Sequence, residues 1–277
     1  MSEDLSNKKI FKNILGETMI PKRIHYCWIG GNPLPASAKK CIASWKKYCP
    51  DYEIIEWNES NYDFTKNQYM KEALEAKKWG FVPDYARLDI VYNHGGIYLD
   101  TDVEIVKSFD PLLENKGFVG FEDSEHVALG LGFGAEAGNP VIKALMDSYD
   151  DLHFINEDGS LNMIASPELN TVALESLGLE RDGNRQALAD CFDIFPPEYF
   201  CPKSFIDGII RKTENTYSIH HFDASWLSDE KQQEMHDRWK RKQKRAKQKA
   251  RRAKIKAIVI KIIGEKLYKK IRKVEEE

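Results

Sequence analysis

The segment Asp100-Thr101-Asp102 has the residue types and the spacing of a cation site. In an extended segment, residues two apart point to the same side, so the two carboxylates would lie close together and repel each other unless a cation sat between them. Mg²⁺ and Mn²⁺ prefer oxygen ligands and often share them with substrate phosphates. A solvated acidic turn is the alternative, and the triplet taken alone favours that alternative.

The elements around the triplet are expected to hold it rigidly. Residues 97–99 predict a short apolar strand that runs directly into Asp100. Residues 83–93 predict a helix, because Pro83 suits a first turn and apolar residues recur on one side. The glycines at 95 and 96 are expected to end this helix.

Strand and helix patterns alternate along the chain, which predicts an α/β fold with a sheet flanked by helices. Strands are predicted at residues 23–28, 52–57, 97–99, 117–121, 128–133, 192–195 and 216–221, and helices at 36–48, 67–79, 83–93, 140–149 and 169–177. Ligands of such sheets bind beyond the carboxyl ends of strands. Trp28 and Asp100 both follow predicted strands.

Charge divides the chain into an acidic body and a basic tail. Residues 238–277 carry 18 Lys and Arg against 4 Asp and Glu, although the whole chain has a formal net charge of −3. We predict an N-terminal extension over residues 1–20, a catalytic domain over 21–237 and a basic helical tail over 238–277.

The tail has the pattern of a basic amphipathic helix. Ile, Val and Leu recur at helical spacing between residues 255 and 271, flanked by lysines. This pattern is typical of helices that lie on a membrane surface. A solvated charged helix and a helix that binds a partner protein are alternatives, and nucleic-acid binding is the least favoured.

Composition predicts a cytoplasmic protein that is peripheral on the inner face of the membrane. The five cysteines lack CxxC spacing, which is typical of reduced thiols. The N-terminal segment is polar, without the apolar core of a signal peptide. The sequence has no run of about 18 apolar residues that would span a membrane.

Residues 81–103 resemble the DXD-containing sugar-binding region of glycosyltransferase family 32. That family includes bacterial capsular-polysaccharide glycosyltransferases and yeast mannosyltransferases, and it is similar to the glucosylating domain of large clostridial toxins. Residues 24–31 resemble its opening strand and residues 219–226 its closing segment. The resemblance is carried by Asp84, Arg87, Gly95, Gly96, Tyr98, Asp100 and Asp102.

The resemblance implies a GT-A-like nucleotide-sugar-binding sheet and a metal-dependent hexosyltransferase. The donor would be a nucleoside diphosphate sugar, of the UDP-Gal or UDP-Glc type, used with Mn²⁺ or Mg²⁺ and with retention. The acceptor would be a polysaccharide or a lipid-linked oligosaccharide, as in capsular polysaccharide biosynthesis. A nucleotide-sugar phosphohydrolase and a non-enzymatic nucleotide or carbohydrate binder are the rival functions.

The resemblance also implies roles for the matching residues. Asp100 and Asp102 would bind the metal, with Asp100 also near the diphosphate. Asp84 would accept hydrogen bonds from donor-sugar hydroxyls, and Arg87 would donate to a sugar oxygen or a phosphate. An Asp84–Arg87 pair within the helix is the structural alternative.

Aromatic residues are implied at both ends of the donor site. Trp28 would stack on the nucleobase, with a core position as its alternative. Tyr98 would contact ribose or phosphate, or equally well pack in the core.

The closing segment would contribute a histidine and two further donor-site residues. His221, by its register from Trp226, is preferred to His220 as a metal ligand. Ser225 and Trp226 would bind the diphosphate. Between the two ends, residues 128–134 lack the asparagine of many relatives, and residues 166–171 are expected to line the acceptor side.

Overall fold

The computed structural model describes residues 20–224 and 227–265, which fall into two compact units. The first unit comprises residues 20–203 and 210–224, and the second comprises Ser204–Ile209 with residues 227–265. The predicted extension over residues 1–20 lies outside the described residues except for residue 20. So do residues 266–277 of the predicted tail and the pair Ser225 and Trp226.

A mixed sheet forms the centre of the first unit. The strands of the described residues are β1 (Arg23–Cys27), β2 (Glu53–Trp57), β3 (Gly96–Tyr98), β4 (Val103–Ile105), β5 (Gly117–Gly120), β6 (Phe133–Ala135), β7 (Gln186–Leu188), β8 (Phe192–Phe195) and β9 (Ser218–His220). Seven of them pair in the order β2-β1-β3-β6-β5-β8-β7, and β4 pairs with β9. Because β1 runs parallel to β2 and β3, the carboxyl ends of these strands meet at one edge.

Helices flank this sheet and supply much of its core. They are α1 (Ala36–Tyr48), α2 (Gln68–Glu75), α3 (Pro83–His94), α4 (Pro140–Asp147), α5 (Ser166–Glu175) and the short α6 (Pro197–Phe200). Asparagine side chains cap α2 and α4 by accepting backbone N–H groups of the first turn. Gly95, at φ 60°, ends α3 in a conformation that suits glycine.

Helix α3 lies in the middle of the unit. It packs against β1, β3, α2 and α4, and its residues are buried on nearly all sides, including the charged Asp84 and Arg87. A helix that is buried all round can bury charges only when they are paired. Its buried charged residues Asp84, Arg87 and Asp89 therefore need partners inside the unit.

Two local conformations differ from the sequence-based expectation. Residues 128–133 were expected to form a strand, but Leu129–Leu131 form a 3₁₀ turn and the strand begins at Phe133. Gly132, at φ 120°, permits this change of direction. Asp100-Thr101-Asp102 is a turn rather than an extended segment, since the Val103 N–H donates to the Asp100 carbonyl at 3.1 Å.

The second unit is built on one long helix, α7 (Asp229–Ile263). Its Trp239 indole donates to the Phe205 carbonyl at 2.8 Å, and Gly208 leaves room for the same indole ring. The predicted boundary at residue 238 falls inside this helix.

No helix of the described residues is long and apolar enough to cross a membrane. The α/β fold with a C-terminal helix is confirmed.

Candidate active site

The turn after β3 brings two carboxylates to the carboxyl edge of the sheet. Asp100 and Asp102 meet the end of β9, because β9 pairs antiparallel with β4 and places His220 opposite Val103. His220 Nε2 lies 3.2 Å from Asp102 Oδ1. One ligand atom from each of Asp100, Asp102 and His220 lies within 4.8 Å of the others, so the three side chains could hold a metal ion.

The histidine of this cluster is His220, not the predicted His221. Successive side chains of a strand point to opposite faces. His221 accordingly lies away from the cluster, with its Nε2 2.8 Å from Glu104 Oε2. The prediction of His221 as a ligand is corrected by one position.

Arg87 contacts one carboxylate of α3 and one carboxylate of the turn after β3. Its Nη2 donates to Asp84 Oδ1 at 2.7 Å, and its Nη1 lies 3.7 Å from Asp100 Oδ2. Its Nε donates to the Pro83 carbonyl at 3.0 Å, and the Tyr98 ring lies 5.2 Å from its guanidinium carbon. The predicted pair within the helix therefore exists, but it also reaches the first aspartate of the triplet.

Burial and pairing set the charges of the three carboxyls apart. Burial raises the pKa of Asp84 to about 6, although Arg87 favours its charged form. Burial likewise raises the pKa of Asp100, against the effect of Arg87. At Asp102 burial acts in the same direction, but His220 and the backbone N–H of Asp223 outweigh it and hold the pKa at about 2. The positive charge around Asp84 and Asp100 is therefore too small to offset the effect of burial on their pKa values.

Gly130 makes room for the Asp100 carboxylate. The Gly130 carbonyl accepts the Asp100 N–H at 3.3 Å, and a Cβ at position 130 would lie 2.3 Å from Asp100 Oδ2. Such a contact is impossible without moving the carboxylate. Sequence reasoning missed this role. The glycine-rich run over residues 130–134 was its only signal in the sequence.

The two predicted aromatic residues have different positions. Trp28 is partly exposed just beyond β1, next to the strand that delivers Asp100, as a base-stacking residue would be. Tyr98 is 1% exposed and lies in the core beneath Arg87, with the Cys27 thiol as a neighbour. Its burial fits the packing alternative, and its predicted contact with ribose or phosphate stays a prediction. Ser225 and Trp226 lie outside the described residues, and their roles stay predictions.

Curated relatives match parts of the chain. Inositol phosphoceramide mannosyltransferase 3 of Schizosaccharomyces pombe is 33% identical over 125 residues, covering 42% of this chain and 33% of the relative. Subversion of eukaryotic traffic protein A of Legionella pneumophila is 25% identical over 114 residues, covering 31% and 18%. Uncharacterized glycosyltransferase L373 of Acanthamoeba polyphaga mimivirus is 34% identical over 101 residues, covering 34% and 40%. The chain spans less than half the length of each.

Two solved structures align with part of the chain. PaToxG Glycosyltransferase aligns with a TM-score of 0.45 and 22% identity, over 62% of this chain and 77% of that one. A glycosyltransferase involved in the glycosylation of the major capsid of PBCV-1 aligns with a TM-score of 0.41 and 12% identity, over 77% and 98%.

The family comparison covers the centre of the site. Residues 35–119 match the family model described as "Glycosyltransferase sugar-binding region containing DXD motif". The matched range includes α3, β3 and the turn, and so contains Asp84, Arg87, Asp100 and Asp102. The resemblance is thereby confirmed for this region: residues 35–119 match the sugar-binding region of glycosyltransferases, and Asp100-Thr101-Asp102 is the DXD triplet of the matched range.

Proposed function

We propose that this protein transfers a hexose from a nucleoside diphosphate sugar to a hydroxyl of a glycan or lipid-linked glycan. The observation that supports this most strongly is that Arg87 contacts both Asp84 and Asp100, beside the Asp102–His220 pair. One side of this network offers oxygen and nitrogen ligands to a cation. The other offers a buried carboxyl and a guanidinium to a sugar.

The donor set at the turn fits a divalent cation. Two carboxylates and one imidazole nitrogen suit Mn²⁺ better than Mg²⁺, which prefers oxygen ligands alone. Asp100, Asp102 and His220 would hold the ion. When bound, it would offset the charge on the departing diphosphate.

The proposed transfer exchanges one bond at the anomeric carbon. The acceptor hydroxyl oxygen forms a bond to C1 of the hexose, and the bond from C1 to the β-phosphate oxygen breaks. With retention, the leaving diphosphate accepts the proton of the attacking hydroxyl. Asp84 holds sugar hydroxyls and Arg87 orients the donor, so the chain contributes mainly positioning and charge stabilisation.

A uridine donor, UDP-glucose or UDP-galactose, is favoured by the resemblance to bacterial and toxin-like enzymes. A mannosyltransferase among the relatives keeps GDP-mannose as the second candidate. In a GT-A-like arrangement Trp28 would stack on the base, and Ser225 and Trp226 would meet the diphosphate.

A thermal-shift panel tests the donor and the metal together. UDP-glucose, UDP-galactose and GDP-mannose are each added with and without Mn²⁺, and we expect one of them to stabilise the protein only with the metal. At about 100 times Kd the gain is about 2.7 kcal/mol. Release of free sugar without an acceptor would favour the phosphohydrolase. Binding without any turnover on an acceptor panel would favour the non-enzymatic binder.

The exposed part of α7 supports a membrane-bound acceptor. Ile255, Ile258 and Ile262 are 51%, 59% and 76% exposed and lie on one face of a helix rich in Lys and Arg. Exposed isoleucines between cations suit the surface of an anionic bilayer. We therefore propose that the enzyme acts at the cytoplasmic face of the membrane, in capsular polysaccharide assembly. Flotation with phosphatidylglycerol and with phosphatidylcholine liposomes tests this, and equal recovery with both would contradict it.

A further inference from the structure

Six buried side-chain nitrogen and oxygen atoms of the first unit have no hydrogen-bond partner among the described residues. Two of them, Ser218 Oγ and His220 Nδ1, lie on β9. The other four are Tyr69 Oη, Tyr149 Oη and the Nδ2 and Oδ1 of Asn170. The two tyrosines are 0% exposed and Asn170 is 1% exposed. Folded proteins leave few buried polar groups unpaired, because each one destabilises the folded state. Tyr69, Tyr149 and Asn170 lie outside β9, and their unpaired groups indicate a site that a polar ligand completes.

The two tyrosines lie beside the charged pair of α3. Their rings pack edge to face with centroids 5.4 Å apart. Burial raises the pKa of both phenols, and the neighbouring Asp84 carboxylate raises both further. Both hydroxyls therefore stay neutral and close to the carboxyl that the proposed function assigns to the donor sugar.

Asn170 faces the same place from α5. The Ser166 hydroxyl, at the start of α5, lies beside the Asp84 carboxylate and favours its charged form. Asn170 follows four residues later and therefore lies on the same helix face. Its neighbour Thr171 accepts the Val127 N–H at 2.8 Å, which ties α5 to the segment that leads to Gly130. The face of α5 that carries Asn170 is therefore the face on which Ser166 lies beside Asp84.

We propose that Tyr69, Tyr149 and Asn170 form the hexose-recognition pocket of the donor site. This inference rests on the proposed function. A carboxamide and two phenols offer donors and acceptors without a net charge, which suits sugar hydroxyls and not a phosphate. The diphosphate end of the site lies instead at Asp100, whose side chain is 31% exposed.

The pocket assigns residue 170 to the donor side, whereas the sequence pattern suggested the acceptor side. A site whose buried polar groups are paired by a substrate hydroxyl strongly rejects an analogue that lacks this hydroxyl, because the groups are then left unpaired. These three residues therefore select the donor hexose by its hydroxyls.

The test separates binding of the sugar from binding of the nucleotide. Intact wild type, Tyr149→Phe and Asn170→Leu are titrated with UDP-glucose, UDP-galactose and GDP-mannose, and with UDP and GDP, all in Mn²⁺. We expect each variant to bind the sugar-bearing donor about fivefold more weakly, as the loss of one neutral hydrogen bond predicts. Binding of the free diphosphate should not change. The Tm of ligand-free Tyr149→Phe should not fall, because the removed hydroxyl has no partner.

Tyr62→Phe is the matched control. The Tyr62 hydroxyl is buried too, but it donates to Asp89 at 2.7 Å. Its removal should lower the Tm and leave donor binding unchanged. If wild type binds a donor and both pocket variants bind it equally well, the pocket is wrong while the proposed function stands. If wild type binds none of the three sugars, the proposed function fails and the pocket fails with it. Should Asn170→Leu not fold, Tyr149→Phe decides alone.

Discussion

Two buried carboxyls on neighbouring helices, Glu72 of α2 and Asp84 of α3, have opposite electrostatic environments. Glu72 accepts from the Gln68 amide and from the backbone N–H groups of Phe154 and Ile155, and it pairs with the His153 ring, all within 3.0 Å. Burial raises its pKa, but these bonds outweigh burial and hold it at about 2. Asp84 shares one arginine with Asp100, and burial raises its pKa to about 6.

Glu72 therefore has the environment of a structural carboxyl, whereas Asp84 has that of a carboxyl that would gain further partners from a ligand. At Glu72 the protein itself supplies the partners, so ionisation stabilises the fold. At Asp84 and Asp100 two carboxyls share the Arg87 guanidinium. A bound cation, or hydrogen-bond donors of a ligand, would therefore stabilise their charged forms further. Substitutions at the two places should therefore affect different quantities.

The largest effect is expected at the triplet. Asp100→Asn or Asp102→Asn should lower kcat by at least about 100-fold, since each removes a charge that would hold the cation beside the diphosphate. The Tm of the ligand-free protein should stay close to that of wild type for Asp100→Asn, because its carboxyl is partly exposed. Steady-state transfer assays with and without EDTA provide the measurement. Undiminished activity of either variant in EDTA would remove the metal role.

A smaller loss of activity is expected when the Asp100 carboxylate is displaced rather than removed. Gly130→Ala places a Cβ against Asp100 Oδ2, so we expect kcat to fall about tenfold and unfolding to become easier by about 1–3 kcal/mol. Gly120→Ala is the matched control, because its Cβ would crowd Phe200 at 2.6 Å instead. Equal activity per folded molecule in the two variants would show that crowding at the carboxylate has no specific effect.

At Glu72 the expected effect is on stability. Glu72→Gln should cost about 2 kcal/mol at pH 7, while the folded fraction keeps its activity. The pKa of Glu72 is lowered from 4.5 to about 2, so the charge-dependent stabilisation is present above pH 4.5 and is lost as the pH falls toward 2. Urea unfolding of wild type and variant between pH 2.5 and 7 should show their difference narrowing below pH 4.5. A difference independent of pH would contradict this.

The smallest effect on chemistry is expected in α7. Replacing Ile255, Ile258 and Ile262 together by Ser should leave donor turnover in solution within about twofold, because these side chains are exposed. Binding to anionic liposomes should weaken at least about tenfold, since apolar burial contributes to interfacial binding. Val172→Ser changes another exposed apolar residue, 53% exposed, and should alter neither quantity.

Local patterns predicted the elements, and non-local contacts decided the site. The helix at residues 36–48 and the strand at 192–195 have the bounds that were predicted, because each is encoded by its own periodicity. The histidine was misplaced because the register of β9 is set by its pairing with β4, and a shift of one residue exchanges the two faces of a strand.

Other features of the site leave no local trace. The close approach of Gly130 to Asp100 depends on how the 3₁₀ turn packs on β3. The unpaired groups of Tyr69, Tyr149 and Asn170 come from three separate elements, and in sequence each of these residues looks like an ordinary core or helix residue. Only the folded arrangement reveals that Tyr69 and Tyr149 share Asp84 as a neighbour.

The pairing of β4 with β9 also determines when the protein gains its cation cluster during synthesis. Asp100 and Asp102 leave the ribosome long before His220, and the backbone bonds that bring His220 to Asp102 require residues 218–220. A nascent chain can therefore display the DXD turn while its third candidate ligand is still untranslated. Any fragment that stops before Ser218 retains the motif without the complete cluster.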